Sequence, residues 1–140
     1  MLTLYLLNIF IIALVVTVHY EFLYAATWLM PRLQMLVRLR IVFGVCVAIL
    51  AHTVEVWIFA VAYYFMIRHG FGSLEGNFTG SLLDCVYFSF TTFSTLGFGD
   101  INPEGDIRFL TGLSSMTGMV LVSWTASFLF YEMQRLWSAP

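Results

Sequence analysis

The sequence predicts an all-α membrane protein: three transmembrane helices, plus one short helix and loop that enter the bilayer without crossing it. Three observations carry this expectation. The chain of 140 residues is 61% hydrophobic and only 10% charged, far from the composition of a soluble domain. Its apolar residues fall in three runs long enough to cross hydrocarbon, which takes about 20 residues. Between the second and third runs a shorter apolar stretch ends in Thr95-Leu96-Gly97-Phe98-Gly99-Asp100. Its two glycines at alternate positions permit backbone conformations that other residues resist.

The first run covers residues 1–30. No Lys or Arg precedes Arg32 and no small-residue cleavage site follows the apolar core, so a retained helix is expected rather than a signal peptide. Pro31 ends it. Residues 31–40 hold Arg32, Arg38 and Arg40, half of the six basic residues in the chain. They lack the every-third-residue period of a voltage-sensing stripe. They are expected to form a basic cytoplasmic linker under the positive-inside rule. The second run, 41–68, places Trp57, Tyr63 and Tyr64 in its later half, where the tyrosines suit an outer aromatic belt.

Residues 69–80 are glycine-rich and are expected to form an extracellular loop. Residues 81–93 predict a short helix, capped by Ser81 with Asp84 three residues on. At about 20 Å it is too short to span. The backbone of 94–100 is therefore non-helical at membrane depth, and that survives only inside protein or beside a water-filled pore. A re-entrant hairpin follows. The third run, 109–137, is rich in hydroxyls (Thr111, Ser114, Ser115, Thr117, Ser123, Thr125, Ser127) and carries Gly112 and Gly118. Three crossings put the N-terminus outside, the C-terminus in the cytoplasm and loop 94–100 on the outer side. Arg32, Arg38, Arg40 and Arg135 then all face inward. Cys46 and Cys85 have no metal-ligand spacing and are expected to be free thiols.

The run Thr95-Leu96-Gly97-Phe98-Gly99-Asp100 resembles the potassium-channel signature usually written T-V-G-Y-G-D. The stretch Tyr87 to Ser94 is similar to the pore helix of the same superfamily. The pore domains of two-pore-domain and small prokaryotic channels are similar in this respect. The resemblance covers about residues 41–136 and leaves the N-terminal helix outside it. It implies a pore domain over 41–137, with outer helix 41–68, pore helix 81–93, selectivity filter 94–100 and inner helix 109–137. The backbone carbonyls of Thr95, Leu96, Gly97 and Phe98 would replace the hydration shell of K+. Thr95 would add a hydroxyl ring at the inner end, and Asp100 would anchor the outer end. K+ is then the transported ion, with no cofactor. One hairpin cannot close a ring, so a symmetric homotetramer is implied. Its other partners would be membrane lipids and monovalent cations, with no nucleic acid. Its home would be a plasma membrane, expected to be a prokaryotic inner membrane.

Two departures from the signature bear on selectivity. Leu96 stands for Val and Phe98 for Tyr, and Tyr87-Phe88 replaces the tryptophan pair of many relatives. Phe98 has no hydroxyl, so one hydrogen-bonded brace is expected to be absent and aromatic packing to hold the diameter. A weakly selective cation channel is therefore the alternative reading. Acidic Glu75, Asp84, Asp100, Glu104 and Asp106 outnumber Arg68 and Arg108 on the expected outer face and would concentrate cations there. On the inner helix, Thr111, Ser115, Gly118, Val122 and Thr125 fall near one face at helical spacing and are expected to line the pore.

A bare pore does not explain His19 and Glu21 in the first run, or His52 and Glu55 in the second. His19 and His52 sit roughly 14–18 Å from the inner boundary, at similar depth on antiparallel helices. Ionisable groups there are costly and usually partnered. Three readings stay open: hydrogen-bonded contacts joining the two helices, a proton sensor, or a metal site. A membrane sensor or accessory subunit that uses this cluster without conducting is the alternative from another class. No nucleophile–base pair and no phosphate loop is present, so no enzyme is expected.

Overall fold

In the computed structural model, which describes residues 2–32 and 36–137, helix α1 spans Leu2–Leu29 and is followed by a 3-10 turn, Met30–Arg32. Helix α2 spans Val37–Arg68, strand β1 Gly72–Gly76, helix α3 Leu82–Phe93, strand β2 Ile101–Gly105 and helix α4 Ile107–Trp137. By length and composition α1, α2 and α4 can each cross a membrane. At 12 residues, or about 18 Å, α3 cannot.

Pro31 lies in the 3-10 turn, so the first helix stops where a proline removes a backbone donor. Arg32 lays its guanidinium over the Trp28 ring, 3.2 Å from the centroid. Helix α2 begins at Val37, so Arg38 and Arg40 belong to its first turn rather than to a linker over 31–40. Residues 33–35 of that linker lie outside the described residues.

Helix α1 is apolar all round, and packing selects one stripe of it. Leu4, Asn8, Ile11, Val15, His19, Leu23 and Ala26 are buried, at steps of three and four residues. That is one face of a 3.6-residue helix. The stripe packs on both α2 and α4 of its own chain. The opposite face, with Leu6, Ile9 and Phe10, stays exposed as a lipid-facing surface would. The core between the helices includes Val15, Phe59, Ala60, Tyr63, Ile107 and Leu110.

The short helix starts as its sequence predicts. The Ser81 hydroxyl accepts from the Asp84 backbone N–H at 3.1 Å. The Asp84 carboxylate accepts from the hydroxyl and amide N–H of Thr79, at 2.6 and 2.8 Å, and these bonds, with a smaller contribution from Ser81, hold it below the usual range. The Ser89 hydroxyl donates to the Val56 carbonyl at 2.8 Å, tying buried α3 to α2.

One element was not expected. The glycine-rich loop forms β1, which pairs antiparallel with β2, from Gly72 opposite Gly105 to Gly76 opposite Ile101. The Asn77 N–H continues the pairing to the Asp100 carbonyl at 2.9 Å. This ribbon joins the chain entering the short helix to the chain leaving loop 94–100. Both ends of the re-entrant hairpin are thus fixed to one frame.

The candidate ion pathway and the histidine–glutamate junction

Loop 94–100 leaves the C-terminus of α3 with alternating backbone handedness. Thr95, Gly97 and Gly99 have φ of 59°, 51° and 79°. Glycine adopts this region freely, whereas a β-branched threonine is strained there, by about 1–3 kcal/mol. Every second residue being left-handed is what turns successive carbonyls of an extended strand toward one side. The Gly97 N–H donates to the Thr91 carbonyl at 3.0 Å and holds the loop against its helix.

The Tyr87 hydroxyl donates to Asp100 at 2.9 Å, and the rings of Tyr87 and Phe98 lie nearly parallel, 6° apart with centroids at 6.4 Å. The hydroxyl missing from Phe98 is thus offset by one that Tyr87 supplies from α3. The sequence held this brace in plain view, because Tyr87 and Asp100 are its only members. What hid it was the distance of 13 residues between them. In the single chain Leu96 and Phe98 remain 60% and 64% exposed, although both are large apolar side chains.

The expected pore-lining set divides. Thr111 and Ser115 share a concavity with Thr95, Gly97 and Gly99. Val122 lines a second one with Ser94 and Phe93. Gly118 is a packing residue: a Cβ there would overlap the Phe93 carbonyl oxygen, so its lack of a side chain lets α4 approach α3. Thr125 is buried between helices, with its hydroxyl toward His19 and His52. A helical wheel placed both residues within one broad face, but close packing claims its edge.

Thr125 faces the polar cluster. Of the four ionisable residues expected there, His19, His52 and Glu55 converge, while Glu21 is exposed and lies apart. His19 Nδ1 lies 2.7 Å from one Glu55 oxygen, and His52 Nδ1 lies 2.8 Å from the other. Both Nε2 atoms face the Thr125 hydroxyl, at 3.5 Å from His19 and 3.1 Å from His52. The imidazoles are stacked at 5.4 Å, and Trp124 packs on His19 at 5.1 Å. His52 also meets Phe93, the last residue of the short helix, at 5.9 Å. His19 and Glu55 are fully buried. The junction therefore joins α1, α2, α4 and the end of α3.

These features define a class: a membrane-embedded re-entrant hairpin held by two spanning helices, as an ion pore requires. The family model described as "Ion channel" matches residues 51–135. The chain belongs to this family, within the potassium-channel pore-domain superfamily. It is 44% identical over 55 residues to "Potassium channel protein kcv" of Paramecium bursaria Chlorella virus 1, covering 34% of this chain and 58% of that one. It is 38% identical over 78 residues to "Two-pore potassium channel 4" of Arabidopsis thaliana, covering 56% of this chain and 24% of that one. The chain thus spans only a part of each of these relatives. No solved structure matches it. Its three helices long and apolar enough to cross a membrane agree with membership of this ion-channel family.

Proposed function

We propose that four copies of this chain form a potassium-selective channel, with loop 94–100 as the selectivity filter. The observation that carries the reading is the loop's alternating left-handed backbone at Thr95, Gly97 and Gly99. The brace from Tyr87 to Asp100 supports it. Carbonyls of Thr95, Leu96, Gly97 and Phe98 coordinate K+ in place of water, and Asp100 fixes the outer end. One strand offers only a quarter of each carbonyl ring, so the site is incomplete without three more copies. The exposed Leu96 and Phe98 side chains then pack between subunits.

Thr111, Ser115 and Val122 line the pathway beneath the filter. The C-terminus of α3 points its partial negative charge into that space. The loop faces the outside of a plasma membrane, and the arginines at the inner helix ends face the cytoplasm.

The test is flux from purified protein in liposomes, with K+ compared against Na+. Strong K+ preference is expected from a stable tetramer. Equal rates would replace the reading with a weakly selective cation channel. A stable tetramer passing neither ion would leave the sensor or accessory subunit.

A further inference from the structure

The polar junction of α1, α2 and α4 has a geometry that limits how its hydrogens can be placed once the charge of Glu55 is set. With Glu55 ionised, its carboxylate only accepts hydrogen bonds, and an imidazole nitrogen at 2.7 or 2.8 Å from it then carries a hydrogen. Both histidines therefore hold hydrogen on Nδ1. If both are neutral, both Nε2 atoms are bare lone pairs aimed at one hydroxyl. Thr125 has a single hydrogen to give, and His52 at 3.1 Å is its better partner. His19 Nε2, at 3.5 Å, would then face an oxygen lone pair inside a sealed site carrying one negative charge.

One further proton repairs both faults. Placed on His19 Nε2 it donates to the Thr125 oxygen, and that hydroxyl donates to His52. Every nitrogen and oxygen facing the cluster is then paired. The charges of Glu55 and His19 sum to zero, which matters because an uncompensated charge at membrane depth is expensive. A second proton would leave a net positive charge and turn the Thr125 hydrogen elsewhere. Thr17, Thr27, Thr53 and Thr111 all give their hydroxyl to the carbonyl four residues back. Thr125 instead faces the imidazoles.

The other titratable groups on these helices stand away from the cluster. Tyr20 and Glu21 on α1 and Cys46 on α2 are exposed, Tyr63 is eleven residues further along α2, and Glu132 on α4 lies beside Arg135. At this level α3 presents Phe90 and Phe93, with Ser94 just past its end, and none of these is a titratable group. A zinc-like ion holding its ligands at 2.0–2.2 Å in a tetrahedron keeps them roughly 3.3 Å apart. Separations of 2.7 and 2.8 Å are those of atoms sharing a proton.

We propose that His19, His52, Glu55 and Thr125 form a proton-binding site that holds one proton beyond the neutral imidazoles, and that its occupancy is read by the pore. His52 gives access to it, being one-fifth exposed on a cavity of about 210 Å³ shared with Ser94 and Val122. Two routes lead from the site to the filter. Thr125 belongs to the inner helix, and His52 packs on Phe93, two residues before Thr95. Gain or loss of the proton charges the junction, weakens the docking of α1 and shifts the end of the pore helix. The second half of this inference rests on the channel reading; the first does not.

The experiment uses full-length protein in liposomes, in a His69→Asn background that leaves only the two junction histidines. Nitrogen NMR of labelled histidine at pH 7 is expected to show one imidazolium and one neutral ring with its hydrogen on Nδ1. Thr125→Val should abolish the imidazolium signal, and Thr125→Ser should retain it. Two neutral rings in the parent, or loss of both N–H signals on adding zinc ions, would overturn the proton site. K+ flux should change about fivefold or more between pH 7 and pH 5, the lower range of coupling between sites. His19→Gln should flatten that response. A pH-independent parent flux would overturn the link to the pore, and absence of all flux would sink the channel reading while the spectrum still decides the site.

Discussion

Loop 94–100 and the histidine–glutamate junction are both polar structures at membrane depth, and they are completed in opposite ways. The junction closes within one chain. Its carboxylate, two imidazoles and hydroxyl find each other across α1, α2 and α4, and two of its members are fully buried. The loop is left open. Its backbone is held in shape by Gly97 to Thr91 and Tyr87 to Asp100, yet Leu96 and Phe98 project from the chain with most of their surface uncovered. In a solvent without hydrogen-bond partners, a polar element must be satisfied internally or by a neighbouring copy. The junction can be read as part of a subunit's stability, and the loop as part of an assembly.

The largest break in this comparison comes from the loop. At Gly99, φ is 79° and an added Cβ meets nothing within 4 Å, so conformation rather than space demands glycine. Placing an L side chain there costs roughly 1–2 kcal/mol per copy, and in the proposed ring of four copies this becomes roughly 4–8 kcal/mol. Gly99→Ala should abolish K+ flux in liposomes. The melting temperature of the isolated subunit should barely move, because the loop is not its core. A large loss of subunit stability would mean that the loop belongs to the fold.

The junction should respond the other way. Glu55→Gln removes the acceptor of one imidazole and leaves the pair without its counter-charge. Breaking a buried, hydrogen-bonded pair costs about 3–5 kcal/mol. A drop of that size in stability, measured by reversible unfolding in detergent, is the expected result. Flux per surviving tetramer at pH 7 should fall less than in Gly99→Ala. A neutral effect on stability would show that α1 is held by its apolar stripe alone.

What the sequence made legible follows the same division. The three spans were visible because apolar length is a one-dimensional property. The short helix was visible because Ser81 and the TLGFGD run punctuate both of its ends. The three-way convergence of His19, His52 and Glu55 was only half visible: equal depth could be counted from the helix ends, but rotation about each axis could not. For that reason Glu21, two residues from His19 and so nearly opposite on the helix, was grouped with residues it does not meet. Periodicity alone places Thr125 on the expected pore face, but the partners that claim it lie 73 and 106 residues away. The β1–β2 ribbon escaped because a five-residue strand made of Gly, Ser, Leu, Glu and Gly has little strand propensity of its own. Its partner supplies the reason to be extended.

The smallest expected effect tests where the two regions meet the question of selectivity. Phe98 lacks the hydroxyl of the tyrosine in the T-V-G-Y-G-D signature, and a Tyr87–Asp100 bond at 2.9 Å braces the loop from the other side of the same ring stack. Tyr87→Phe deletes one hydroxyl and leaves the aromatic packing intact. The filter's carbonyls are not removed, so conduction should persist. Its diameter would then rest on stacking alone, and the preference for K+ over Na+ should fall by roughly twofold to tenfold, the size of one net hydrogen bond. The measurement is the ratio of K+ to Na+ flux in the same liposomes. Phe98→Tyr in the Tyr87→Phe background then asks whether the brace can be moved back to the filter strand. Recovery of the ratio would show that either residue can hold the loop. If the ratio never changes, the outer end is fixed by the β1–β2 ribbon and Asp100's place in it, and the tyrosine hydroxyl plays no part in choosing the ion.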